Sequence, residues 1–199
     1  CTLSSWNADS TTVYTVICTP DGEGTVIINI AAGAFTDAAG NSNTASNEYD
    51  WTHDVTVPVI STATVTGGTA KVGTVITVTV AADAAGYTLG TSTMNTVTMA
   101  GFNDAGSGSY TMTYTVVEGN TDRAAGATPV SIILTDSAGN TNSAHTALIE
   151  TNAQTIDANS PAATTSLTIP GGTAKVGTVI TITIVASEQS LTCTSCTLN

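Results

Sequence analysis

The side chains able to do chemistry are few and scattered. His53 and His145 are the chain's only imidazoles, one in a linker before Pro58 and one at the start of a late strand, in non-equivalent places. Acid–base or metal work needs such groups within hydrogen-bond reach of one another or of a partner, and the spacing gives no reason to expect that. Ser and Thr abound, yet neither a Gly-x-Ser-x-Gly elbow nor a His-Glu-x-x-His pair occurs. Asp21-Gly22-Glu23-Gly24 runs into a strand-like stretch, whereas a phosphate-binding loop must open a helix. Cys193 and Cys196 have redox or zinc spacing without a second pair, and a disulfide is the other reading for an oxidising compartment; Cys1 and Cys18 complete the set, with the pairing open. These absences predict a chain that is not an enzyme. What remains are Asp and Asn in loops, the hard oxygen donors of a calcium site.

Two further sets have a chemical and a plain reading. Lys71 and Lys175, the only lysines, hold equivalent places and read either as solvated turn residues or as partners of a covalent cross-link. Trp6, Trp51, Tyr110 and Tyr114 are able to stack on sugars, but the alternation Tyr-Thr-Met-Thr-Tyr equally describes the core and rim of a strand.

These residues sit on a repeating framework. Gly67 to Val80, GGTAKVGTVITVTV, returns as GGTAKVGTVITITI from Gly171 to Ile184, an offset of 104 residues (171 − 67). Gly-Gly and Lys-Val-Gly mark turns, and the alternation of Val or Ile with Thr is the period of a half-buried strand. With 41% hydrophobic and only 9% charged residues, the 199-residue chain reads as β-structure with polar turns rather than as disorder. Fifteen acidic against three basic residues give a net charge of −12, which removes the phosphate-neutralising attraction that nucleic-acid binding depends on. No apolar run reaches the ~18 residues of a membrane span, and no signal peptide opens the chain, which reads as a mature or excised segment.

The expected organisation is all-β, as tandem immunoglobulin-like sandwiches: 1–58 the later part of one unit, 59–160 a complete unit, and 161–199 the opening part of a third. In the first, strands are expected at Cys1 to Trp6, Thr11 to Cys18, a buried Thr25 to Ile30, and Thr44 to Trp51, with a turn at Asn7 to Ser10. In the complete unit they are expected at Ile60–Val65, Thr74–Ala81, Thr93–Met99, Ser109–Val117, Val130–Leu134 and Ala144–Glu150, with a short one near Tyr87, a sandwich-like spacing. Period-two alternation puts Val130, Ile132 and Leu134 on one core face, with Val75, Ile76 or their neighbours. The loop Asp136 to Asn140 repeats Asp37 to Asn41 at an offset of 99 (136 − 37).

GAFTDAAGNSNTAS, YTMTYTVVEGNTDRAAGATPVSIILTDSAGN and the Asp-x-x-x-Pro junctions resemble the bacterial immunoglobulin-like repeats of large surface adhesins and other cell-surface proteins. The resemblance spans essentially the whole chain. It implies an extracellular, cell-surface stalk or filament of tandem units used in attachment; a module recognising a glycan or protein ligand is the alternative. It also implies calcium at domain junctions. The sandwich topology would bring Asp136, Asn140 and Asp54 together with Asp21 and Glu23 at one junction, and Glu118, Asp122, Asp157 and Asn159 at the next, near Glu188; turn hydrogen bonds are the other use of these residues. The partners expected are neighbouring copies. The chain reads as a window on, or subunit of, a longer polymer whose two end segments complete one another, and Cys196-Thr197-Leu198 echoes Cys1-Thr2-Leu3 where they would meet.

Overall fold

The computed structural model describes residues 1–162, 166–193 and 195, and among them the protein is all β, with no helix. In the leading segment β1 (Thr2–Ala8) and β2 (Tyr14–Thr19) form an antiparallel hairpin, and β3 (Gly24–Ile28) pairs antiparallel with β4 (Tyr49–His53). The hairpin turn lies later than Asn7 to Ser10. Asp9 and Ser10 both donate backbone N–H to the Val13 carbonyl, and the Ser10 hydroxyl accepts from Val13 N–H, so the strand runs on through Asn7 and Ala8. Thr25 to Ile30 is not a buried strand: Ile27, Ile28 and Ile30 are exposed, since among the described residues β3 and β4 form a sheet of two strands only.

The central segment holds the core. Its strands are β5 (Ile60–Val65), β6 (Gly68–Lys71), β7 (Val75–Ala82), β8 (Thr88–Leu89), β9 (Thr93–Met94), β10 (Val97–Thr98), β11 (Ala100–Gly106), β12 (Ser109–Thr115), β13 (Val130–Ser131), β14 (Leu134–Thr135), β15 (Ile149–Glu150) and β16 (Gln154–Asp157). Five make one sheet in the order β11-β12-β7-β5-β15. Across β7 and β12, Ile76, Val78 and Val80 stand opposite Tyr114, Met112 and Tyr110, all six buried, while Thr77 and Thr79 face the other way. Alternation of β-branched and Thr residues thus makes one wet face and one dry face, and each fully buried Val or Ile contributes about 1.5–3 kcal/mol of gross burial energy. Met94, Val130, Ile132, Leu134 and Ile156 join the same buried cluster, as the period-two reading of 130–134 expects; Val75 faces outward.

Several strands depart from their expected form. Val130–Leu134 is broken into β13 and β14, since the Ser92 hydroxyl accepts from Ile133 N–H (3.0 Å) and takes a sheet partner's place. Thr93–Met99 is cut at Asn95 and Thr96, which take left-handed φ of 52° and 66°. β11 was unforeseen because Gly101, Asn103, Asp104 and Gly106 make it a poor strand by composition; it holds a bulged sheet edge beside β12. β6 and β16 were also unforeseen, and they pair in parallel with Asp157 opposite Lys71.

The chain crosses the central segment from one end to the other. Ile60 lies opposite Ala82, the last residue of β7, whereas Val75, its first, lies opposite Thr115. Lys71, three residues before Thr74, is where Asp157 ends its strand. Residues 59 and 158 are therefore at opposite ends of an eight-residue strand, about 26 Å long at ~3.3 Å per residue.

The trailing segment repeats the opening of the central one. Antiparallel β17 (Ser166–Thr168) and β18 (Thr183–Val185) pair with Leu167 opposite Ile184 and Thr168 opposite Thr183, which is the β5·β7 register of Ala63 with Val80 and Thr64 with Thr79 moved on by 104 (167 − 63). The turn repeats as well: Lys71 N–H donates to Thr74 Oγ1 at 3.1 Å, and Lys175 N–H to Thr178 Oγ1 at 3.2 Å.

Candidate functional site

Two junctions gather the acidic residues singled out above. At the first, Asn140 Nδ2 donates to the Asp54 carbonyl (3.1 Å), tying a central turn to the preceding linker. That turn is set by its own residues: the Asp136 carboxylate accepts from the backbone N–H groups of Ala138 and Asn140 and from Asn140 Nδ2, at 2.8 to 2.9 Å. The same bonds recur from Ala39 and Asn41 to Asp37. Desolvation raises the Asp136 carboxyl, but the hydrogen bonds from Asn140 and then from Ala138 and Gly139 outweigh it and leave the group below its usual range. Glu23 accepts from the Thr56 hydroxyl, and Glu23, Asp54, Tyr87 and Asp136 line one open cleft of about 250 Å³. Asp21 is engaged elsewhere, 2.7 Å from the Cys1 amino group and 2.6 Å from the Thr2 hydroxyl.

Asp83 is a junction residue the sequence reading missed. Its Oδ1 accepts from Val59 N–H (2.9 Å) and Tyr87 Oη (3.1 Å), clamping the first residue of the central segment. The Val59 bond, ahead of the opposing desolvation, holds its carboxyl below the usual range, while burial and then Asp83 itself push the Tyr87 phenol up to about 12.

At the second junction Glu118, Asp122, Asp157 and Asn159 do come together, as a set of chain-end caps. Glu118 accepts from Ser160 N–H (2.9 Å) and Oγ (2.6 Å), and Asp122 accepts from Ala158 N–H (2.7 Å) and Asn159 Nδ2 (2.8 Å). Asp157 Oδ1 is 3.5 Å from Asn159 N–H. The Ser160 hydroxyl, first, draws the Glu118 carboxyl below its usual range. Calcium asks for six or more converging oxygens. Among the described residues no three His, Cys, Asp or Glu side chains are grouped to hold a metal, and the oxygens of Glu118, Asp122 and Asp136 accept from N–H and O–H donors; as placed, this donor set does not fit the ion.

An open apolar groove of about 760 Å³ lies in the leading segment, lined by Leu3, Trp6, Val16, Ile27, Ile28 and Phe35 among others, and bordered by the Cys1–Cys18 disulfide. Its aromatics have counterparts. The Trp6–Tyr14 stack, with ring centroids 5.4 Å apart, matches the Phe102–Tyr110 stack at 5.5 Å, and WN…YT at residues 6 to 15 matches FN…YT at 102 to 111, an offset of 96 (110 − 14). A shared bulge fixes the register: Ser5 and Gly101, also 96 apart, take φ of 53° and 61°. β1 and β2 are thus the counterparts of β11 and β12, with the opposite solvent state: Tyr110 and Met112 are 0% exposed, Tyr14 and Val16 53% and 45%.

His53 Nδ1 lies 2.9 Å from the Gly22 carbonyl in the leading segment, whereas His145 pairs with Ile132 through its backbone in the central one. Comparison with protein families, with characterised proteins and with solved structures finds no match for the chain.

Proposed function

We propose that this is a structural repeat protein of the cell exterior, in which tandem immunoglobulin-like sandwiches form a stalk or filament used in surface attachment. The observation that carries the reading is the recurrence of the β5·β7 register, turn and sequence 104 residues further on in β17 and β18. A chain that crosses each unit from end to end, with turn residues of one unit bonded to the linker of its neighbour, transmits tension along its axis. The Cys1–Cys18 disulfide suits an oxidising exterior. Electron microscopy of the native assembly tests the reading: rods with a regular axial repeat support it, and isolated compact particles refute it.

A second reading, an adhesin module holding a glycan or protein, is favoured by the Trp6, Tyr14 and Phe35 rings, which line a second concavity of the leading segment, of about 380 Å³. Quenching or shift of Trp6 fluorescence by a glycan panel would support it. The matching stack in the central segment is core, and this weighs toward an uncovered core face. Calcium enters only as an addition: it would have to displace the junction hydrogen bonds, and melting with and without chelator reads whether it stabilises the fold.

A further inference from the structure

We propose that the groove between β6 and the opening of β7 binds an extended, uncharged peptide with small side chains, which adds to the edge of β7 that β5 leaves bare. The site lies wholly in the central segment and is independent of the stalk reading. β5 runs beside β7 only as far as Val65, opposite Val78, and the next pair in register would be Thr66 with Thr77. There the chain turns away to bring β6 beside β16. A Cβ on Gly67 would sit 1.2 Å from the Asn152 carbonyl oxygen, and Gly68 takes a φ of 143°, so the crossing demands both glycines. The strands β6 and β7 thus belong to different sheets and gape apart, leaving an open groove of about 310 Å³ lined by Thr66, Gly68, Thr69, Val75, Thr77 and Gln154 among others.

The main chain of β7 is unpaired along this groove. Val116 N–H donates to the Thr74 carbonyl and Ala82 N–H to the Gly108 carbonyl, so the even-numbered residues of β7 bond toward β12. Val75 and Thr77 turn their N–H and C=O groups to the other side, where among the described residues no strand lies beside them. A side chain on a different strand supplies the second observation. Gln154 is 2% exposed, and its Nε2 donates to the Gly68 and Thr155 carbonyls, both at 2.8 Å. Its Oε1 accepts no hydrogen bond from the described residues and is not sealed from solvent, so this acceptor opens on the groove.

Alternating N–H and C=O groups on a bare strand edge are what another extended main chain satisfies, and the Gln154 oxygen offers one more acceptor for a peptide N–H. No charged side chain lines the groove, although the chain carries a net charge of −12, and this selects a neutral occupant over an ion. The bare edge over residues 75–77 is about 10 Å long at ~3.3 Å per residue, room for about three residues with small side chains. The same groove is built again 104 residues on (171 − 67), about 270 Å³ between residues 170–174 and 178–181, so it is a feature of the repeated unit and not of one loop.

Amide NMR of the full chain, titrated with millimolar acetyl-Ala-Thr-Ala-Thr-Ala-amide, tests the site. The Val75 and Thr77 backbone amides and the Gln154 side-chain amide are expected to shift together and saturate, and exchange of the Thr77 amide to slow about tenfold as it gains a partner. Thr77→Pro removes that N–H from a position that makes no bond to β12, and Thr66→Trp fills the groove from an exposed position; each is expected to abolish the shifts, and the second decides the matter where the first fails to fold. Resonances unmoved by the peptide overturn the proposal and leave a groove for solvent. Shifts that persist in Thr66→Trp place the peptide elsewhere and overturn the site. Equal shifts from the same peptide N-methylated at every residue overturn the main-chain pairing, and shifts with glucose but none with peptide overturn the ligand class in favour of a polyol.

Discussion

Ile76→Ala and Ile180→Ala remove the same atoms from nearly the same sequence, TVITVTV and TVITITI, yet the structure separates their costs. Ile76 is 5% exposed, opposite Tyr114 in the β7·β12 ladder, while Ile180 is 55% exposed. Truncating the buried one costs about 2–5 kcal/mol in lost transfer energy and residual cavity. For a unit near a hundred residues, each kcal/mol moves the melting temperature by ~4–8 °C, so Ile76→Ala should lower it by at least ~8 °C. In dilute solution Ile180→Ala should stay within ~0.5 kcal/mol, as an exposed site does. Calorimetry and urea denaturation of both variants read the difference. Equal losses, or an unchanged melt for Ile76→Ala, would refute the claim that burial rather than sequence sets the cost.

Asn95→Ala should cost about 2–4 kcal/mol by urea titration, because Asn95, 1% exposed at φ 52°, donates to Tyr114 Oη (3.2 Å) and Thr121 O (2.8 Å) and accepts from Arg123 Nε (2.7 Å). In acid, Asp37, Asp83, Glu118 and Asp136 all have carboxyls depressed in the folded state. Their stabilisation is present above the unfolded carboxylate values near ~4 and is lost as pH falls through the folded ones, so melting temperature should drop below about pH 4, and less steeply in Asp83→Asn. At the alkaline end the phenol of Tyr87, raised to about 12, stabilises fully below its unfolded value of ~10 and loses this as pH rises toward about 12; a phenolate absorbance step near pH 12 should be lost in Tyr87→Phe. Reducing Cys1–Cys18 should speed amide exchange in β1 and β2 and leave the central melt in place.

Much of the framework was legible because strand alternation is a local signal. Ile60–Val65 was read with its observed bounds, and Ile132 and Leu134 were placed in the core by their period alone. β11 escaped since its glycines and Asn-Asp pair are turn chemistry, overridden here by pairing with β12. Of the residues expected to meet, Asn140 does bond the Asp54 carbonyl and Asp122 lies near enough to act on Glu118, while Asp21 is engaged with Cys1 and Thr2. Asp83 escaped because its role depends on a backbone N–H 24 residues away in sequence, which no motif announces.

By itself the sequence determined the strand type, the turns and the repeat, since Thr/Val alternation, Lys-x-Gly-Thr turns and Asp-x-x-Gly-Asn loops each fix their geometry within a few residues. Only the tertiary structure decided which copies of those strands are dry. Ile76 and Ile180 read alike along the chain, but burial belongs to the pairing partner: β12 stands across from the first, and among the described residues no strand stands across from the second.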